Sequence, residues 1–272
     1  MAQDELGCLS IVGPDSARFL QGQCTADAAG LTTHQWTLAG FANIKGRLYA
    51  NGRLARLAED HYAFILPRSN VASTLAQLSK YAAFFKATLS DASEQWYFSA
   101  TPTEHDTAQQ VTHTHEHIIL HCPGQWQLQA SLQPQVFDAQ AWAEYELKQG
   151  LVWITGALVD AFLPQELEWD RLGGVSYQKG CYTGQEVIAR LHYRGQLKKG
   201  LRHLSGPGEP PKVLTTLTNA KGQNRAQIAR VLSLADGWQA LAVVHHEATE
   251  LLWQDQPVKL GAWVAPQPTE AP

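Results

Sequence analysis

Three strand-like stretches, at His34 to Phe41, Arg47 to Leu57 and His61 to Leu66, follow one another with no helical pattern between them. That succession argues against the strict strand-helix alternation from which parallel sheets are built. Helical signals interrupt the strands only at intervals. After a short apolar run from Leu9 to Val12, Gly13-Pro14 opens a helix carrying Ala17, Phe19 and Leu20, ended by Gly22. The i, i+4, i+7 spacing of Val71, Leu75 and Leu78 marks a second helix, entered at Ser69. Asp138 caps a third through Trp142, Tyr145 and Leu147, which Gly150 closes. The pattern predicts an α+β fold.

Between Ser90 and His115 the chain turns polar and contains Thr101-Pro102-Thr103, which predicts a surface excursion. His113, His115 and His117 alternate with Thr114 and Glu116, so on a strand all three would share a face. No carboxylate or cysteine spacing completes a metal site around them, and the expectation is a polar strand face with no metal. Strands resume at His117 to His121 and Gln125 to Ala130. From Gly200 onward the character changes. Gly206-Pro207-Gly208-Glu209-Pro210-Pro211 is a connector, and Ala226 to Leu232, Asp236-Gly237 and Gln239 to Val244 read as a β-hairpin. A small C-terminal β-barrel or sandwich follows from these signals.

A chain of 272 residues buries enough surface to fold without disulfides or metals, as one large or two smaller domains. Its four cysteines, Cys8, Cys24, Cys122 and Cys181, form no C-x-x-C pair, which argues against a zinc or iron-sulfur site built by this chain alone. The net charge of −4 offers no general attraction to a phosphate backbone, so direct nucleic-acid binding is not expected. One local exception is the basic run Arg190, His192, Arg194, Lys198 and Lys199, read as a solvated helix end or as a meeting place for a polyanion. A basic start with an apolar core is missing, as is any apolar stretch of about 18 residues, so the expectation is a cytoplasmic protein with no membrane contact.

Within this frame, Lys179-Gly180-Cys181-Tyr182-Thr183-Gly184-Gln185-Glu186 places a cysteine between two glycines ahead of a helix start. Thr183 and Glu186 have the spacing of a capping box before Val187, Ile188 and Leu191. Cys181 would then lie two residues before the cap, near the positive end of the helix dipole and beside Lys179, and both favour a reactive thiolate. The alternative is a small buried hydrophobe in a glycine turn. Trp142, which shares a helix face with Glu146 and Gln149, is likewise open between the edge of a cleft and ordinary packing.

The sequence resembles the YgfZ family of folate-binding proteins, relatives of the aminomethyltransferase (T-protein) of the glycine cleavage system. The resemblance is carried by Leu172-Gly173-Gly174-Val175-Ser176-Tyr177-Gln178-Lys179-Gly180-Cys181-Tyr182-Thr183-Gly184-Gln185-Glu186, which looks like the family's K-G-C-[FY]-[TS]-G-Q-E signature. Gly13 and Asp15, Phe19 to Asp27, Lys45-Gly46-Arg47, Phe162-Leu163-Pro164-Gln165 and Arg194-Gly195 fall in the expected order. It implies three subdomains in a ring around a central channel. Residues 1–196 would form the folate-binding part as two interleaved α+β subdomains, 197–265 a β-barrel, and 266–272 a disordered tail. The channel is expected to hold tetrahydrofolate or a derivative. Trp142 stands where the family places a folate-contacting tryptophan, with Gln23 and Gln185 as further contacts. Lys45, Arg47 and Arg194 are assigned to the glutamate tail on charge alone.

By this resemblance the protein is a folate-dependent accessory factor that maintains iron-sulfur enzymes, including those that modify tRNA, with Cys181 and Lys179 as its working residues and iron-sulfur enzymes or assembly factors as partners. A folate-dependent aminomethyl transferase is the alternative. It requires a positioned carboxylate, for which Asp160 and Asp170 are candidates by proximity. A plain binding module with an inert cysteine is the third.

Overall fold

The computed structural model describes residues 5–104, 109–195 and 197–265. The tail expected at 266–272 lies outside them.

Three antiparallel sheets organise the chain. The first has the order β2-β3-β4-β1-β5, from β1 (Leu6–Val12), β2 (Gln35–Ala42), β3 (Leu48–Ala58), β4 (His61–Pro67) and β5 (Thr88–Asp91). Short turns join β2, β3 and β4, as the unbroken run of strand signals requires, while α1 and α2 interrupt the chain between β1 and β2 and between β4 and β5. Helices α1 (Ser16–Gln23) and α2 (Arg68–Ala82) cover one face, where Phe19, Leu20, Val71 and Leu78 pack against Ala50, Leu54 and Phe64. The opposite face, with Leu38, Leu48 and Ala55, belongs to the central core of the molecule. Burial on both faces explains why β3 and β4 carry few polar residues.

The second sheet has the order β6-β9-β8-β7, from β6 (Tyr97–Pro102), β7 (Val111–His113), β8 (His117–Cys122) and β9 (Trp126–Ser131), followed by α3 (Ala139–Lys148). Asp138 caps α3 as its sequence predicts, its carboxylate accepting from Ala141 N at 3.0 Å. Two expectations are corrected here. The polar segment from Ser90 to His115 is a surface excursion only in part: Thr101, Pro102, Gln109 and Gln110 are exposed and residues 105–108 lie outside the described residues, but β6 and β7 place Phe98, Ala100 and Val111 in the core. The three histidines do not share a strand face either. His113 ends β7, His117 begins β8, and the hairpin between them takes up His115. Among the described residues no group of three or more His, Cys, Asp or Glu side chains is placed to hold a metal ion, and no helix is long and apolar enough to cross a membrane.

The third sheet runs β15-β14-β11-β12-β13-β10-β16. Its central strands are β10 (Lys199–Gly206), β12 (Asn224–Leu234) and β13 (Gly237–His245), the last two forming the predicted hairpin. β11 (Thr216–Thr218), β14 (Leu252–Trp253), β15 (Gln256–Pro257) and β16 (Lys259–Trp263) complete it. The two edge strands are separated in the chain by Val258 alone, so the sheet must curl until its edges meet. That curl makes the C-terminal barrel-like half, with Trp238, Ile228 and Val244 inside. The architecture is thus α+β, its three sheets meeting in a central core, with a second cluster under α1 and α2 and a third inside the curled sheet.

Candidate functional site

Between α3 and the next helix, α4 (Gln185–Arg194), the chain forms two short 3-10 turns, Gly156–Leu158 and Pro164–Leu167, and no strand. Its last part is fastened along the exit of α1. Thr25 donates its hydroxyl to Gly174 O and accepts from Gly40 N, and Ser176 N donates to Thr25 O at 2.9 Å. Lys179 Nζ donates to Cys24 O and Ala26 O at 2.8 and 2.7 Å and lies 4.9 Å from the centre of the Tyr182 ring. Thr183 N donates to Gly22 O at 3.3 Å. The Lys179 ammonium is therefore a buried staple, and burial pulls its pKa down against the opposing pull of Cys24 and Asp27. Lys179, expected beside Cys181 to favour its thiolate, instead donates to these carbonyls, the acceptors that satisfy a buried ammonium.

The capping box is also corrected. α4 is capped by Gly184 in the left-handed region (φ 83°), with no side-chain cap from Thr183. A Cβ at Gly184 would lie 2.5 Å from Asn43 O, which fixes glycine there twice over, by conformation and by the approach of the β2–β3 turn. At Gly180 a Cβ would meet nothing and the backbone needs no positive φ. Gly184→Ala is accordingly expected to cost about 1–2 kcal/mol or more in denaturant unfolding, whereas Gly180→Ala leaves the midpoint in place. Equal losses for the two would contradict this loop geometry.

Cys181 itself is exposed, while Cys8, Cys24 and Cys122 are buried. Burial pushes Cys8 up to about 12 and Cys122 up to about 11, the nearby Arg53 guanidinium opposing the latter, and it raises Cys24 as well. Thiol chemistry at neutral pH is thus confined to one sulfur. An aromatic disulfide reagent is expected to take one thiol per native chain and four after denaturation; rapid labelling of a second native thiol would refute this.

The predicted site residues fall into two groups. Gln23 ends α1 next to Gly22; Lys45 lies exposed on the β2–β3 turn; Gln185 opens α4 and Arg194 ends it, exposed. Gln23 follows Gly22, whose carbonyl accepts from Thr183 N, and Lys45 precedes Gly46, which packs on the first turn of α4. Arg47 is at the foot of the β2–β3 turn, its guanidinium spent on Ala161 O. Trp142 stands apart from them. It is wholly buried rather than at a cleft edge, stacked on Tyr145 with ring centres 4.9 Å apart and near Trp126 at 5.7 Å.

What buries Trp142 is a charge hub that patterning did not reveal. Arg53 of β3 lies 5.1 Å from the Trp142 ring and 4.6 Å from that of Trp153, and donates to Glu146 Oε1 of α3 at 2.9 Å. The other carboxylate oxygen accepts from Arg230 of β12 at 3.1 Å. Burial alone would push the Glu146 carboxyl up, but Arg230 and Arg53 outweigh it and hold the group below the usual range. One carboxylate on α3 thereby joins the first and third sheets. Beside the hub is a cavity of about 80 Å³ lined by Trp36, Leu38, Arg53, Cys122, Tyr145 and Gln149 among others. Arg53, one of its lining residues, has a buried Nε with no hydrogen-bond partner.

The chain is 33% identical over 229 residues to the tRNA-modifying protein YgfZ of Photorhabdus laumondii, covering 75% of this chain and 69% of the relative. It is 31% identical to that of Serratia proteamaculans, covering 89% and 82%. The chain belongs to the YgfZ family. The YgfZ protein of Escherichia coli O157:H7 matches at 30% identity over 92% of this chain and 86% of its own. Residues 2–113 match the GCVT N-terminal domain. Among solved structures, the glycine cleavage system aminomethyltransferase T of Bartonella henselae superposes with a TM-score of 0.71 at 16% identity, covering 96% of this chain and 84% of that one, so the two share a fold.

In this YgfZ-family chain Asp160, Asp170 and Glu168, near the signature, are bonded within the fold. Asp160 Oδ1 accepts from Asn43 Nδ2 at 2.8 Å, and Asp170 Oδ2 from the Tyr177 hydroxyl at 3.0 Å. Glu168, pushed up to about 7 by burial with Arg171 opposing, accepts from Leu201 N at 3.4 Å and ties the segment to the barrel. No carboxylate lines the cavity beside Arg53.

Proposed function

We propose that this protein is a tetrahydrofolate-binding accessory factor for iron-sulfur enzymes that modify tRNA, working through Cys181 rather than through one-carbon transfer. The observation that carries the reading is the contrast among the cysteines: one exposed thiol on a loop fastened by Lys179 and Thr25, three buried and raised. The names of the relatives, tRNA-modifying protein, point the same way. A transferase needs a free carboxylate at the reacting amine; the two candidates, Asp160 and Asp170, are bonded to Asn43 and Tyr177, and no carboxylate lines the cavity beside Arg53.

The folate is assigned to the cavity at Arg53. Tyr145 and Trp36 offer aromatic walls for a flat pterin, and Gln149 with the unpaired Arg53 Nε offers polar groups for its edge. A whole folate exceeds the present space, since small-molecule pockets run from about 300 Å³, so binding must widen the cavity. Tetrahydrofolate, when bound, would supply a redox-active and one-carbon-carrying group; the protein's residues bind and orient it. Trp142 acts behind Tyr145 by holding that ring in place.

Calorimetric titration of purified protein with tetrahydrofolate tests the assignment. Micromolar binding is expected, weakened about tenfold, or 1.4 kcal/mol, by Tyr145→Ala, with no methylene transfer from an aminomethyl donor. Turnover would replace the reading by the transferase; absence of binding would remove the folate from it.

A further inference from the structure

We propose that α4 and the β2–β3 turn form a docking surface for an acidic face of a partner protein, which the surface presents to Cys181. The inference rests on the reading of Cys181 as the working thiol, and it adds where and by what chemistry a client is held.

The signature loop runs beside α4 along the helix's length. At one end the Tyr177 ring stacks on His192, ring centres 3.6 Å apart, and the Tyr193 hydroxyl donates to Tyr177 O at 3.4 Å. At the other, Gly184 caps the helix, and a Cβ on Gly46 would lie 3.0 Å from Val187 Cβ, so the turn abuts the first turn of α4. The segment from Tyr177 to Gly184, which carries Cys181, thus meets the helix at one end and the helix start and turn at the other. α4 spends little of itself on the fold: Ile188 is its one buried residue, and Arg190, His192, Tyr193 and Arg194 are exposed.

The exposed groups share a character. Residues 185–199 carry four Lys or Arg against one acid, Glu186, in a chain whose net charge is −4. Arg190 and Arg194, four residues apart, lie on one helix face. Among the described residues no carboxylate forms an ion pair with either, or with Lys45 on the turn. Guanidinium groups left without partners are suited to bidentate capture of carboxylates. Two apolar anchors stand among these cations, Ile44 at 81% exposure on the turn and Tyr193 at 67% on the helix. Tyrosine and arginine beside an exposed aliphatic make the composition of a protein interface, an apolar centre with a charged rim. A phosphate backbone would find few cations here, nothing to gain from Ile44, and an acidic molecule behind them.

The test uses a strain lacking its own copy of the gene, rescued by variants of the full chain, with modified nucleosides quantified by mass spectrometry. Arg190→Glu/Arg194→Glu and Ile44→Asp are each expected to lower the modification about tenfold, equivalent to roughly 1.4 kcal/mol, with unchanged melting temperatures. Lys221→Glu, on the barrel, should keep full rescue. A photoreactive benzoylphenylalanine at position 193 should crosslink to an Asp- and Glu-rich peptide of another protein, and the crosslink should vanish with the double charge reversal. Full rescue by both surface variants while Cys181→Ser fails would overturn the docking surface and leave the cysteine reading standing. Crosslinking to RNA would overturn it in favour of nucleic acid. Silence of Cys181→Ser together with loss in the surface variants would support the surface and defeat the cysteine.

Discussion

Replacing Glu146 with alanine is expected to lower the unfolding free energy by about 3–5 kcal/mol, the usual cost of breaking a buried ion pair from one side. The carboxylate has no exposure and is shared by two guanidiniums, Arg53 at 2.9 Å and Arg230 at 3.1 Å. Without it, two like charges face each other out of water. Arg230 keeps Leu151 O at 2.7 Å, but Arg53 keeps only its aromatic neighbours. Because these residues come from β3, α3 and β12, the loss should loosen the joint between the subdomains. Urea unfolding of Glu146→Ala measures the effect, and a drop under about 1 kcal/mol would put the hub within the range of exposed pairs. Glu146→Leu combined with Arg53→Met should recover part of the loss, since the cost lies in the unpaired charges and not in the absence of attraction. The pH dependence has a definite sign. A carboxyl held below its unfolded value contributes stability that is complete above about pH 4.5, the ordinary glutamate value, and disappears as pH falls through the folded value. The wild-type chain should therefore lose stability on acidification below that point more steeply than Glu146→Leu/Arg53→Met.

The second large effect concerns function. Cys181→Ser is expected to reduce iron-sulfur-dependent tRNA modification in a rescued null strain to the level of the empty vector, with melting temperature unchanged. The side chain is exposed and none of the hydrogen bonds that fasten the loop uses its sulfur, so exchange of sulfur for oxygen removes nucleophilicity and leaves the fold alone. Lys179→Ala provides the contrast. It strips two carbonyls of their buried donor and should cost about 1–3 kcal/mol in addition to any loss of activity. Full rescue by Cys181→Ser would leave a binding module with an inert cysteine.

The sequence by itself determined the elements whose signals are local. The Asp138 cap, the 71–78 helix stripe and the hairpin around Asp236-Gly237 each follow from a few adjacent residues, and each stands in the structure. It also determined the family, because the signature from Lys179 to Glu186 is contiguous. Tertiary structure decided everything that needed partners from elsewhere in the chain. Whether the Lys179 ammonium met a thiolate or two carbonyls depended on residues 24 and 26, more than 150 positions away. Whether Thr183 or Gly184 capped α4 depended on the approach of Asn43. The polar strands between Ser90 and His115 became core strands because a neighbouring strand, β9, supplied a face to bury Phe98 and Ala100. Arg53, Glu146 and Arg230 look in the sequence like three unrelated surface charges. A charge can be buried only where its counterparts are brought to it, and long-range folding alone brings them.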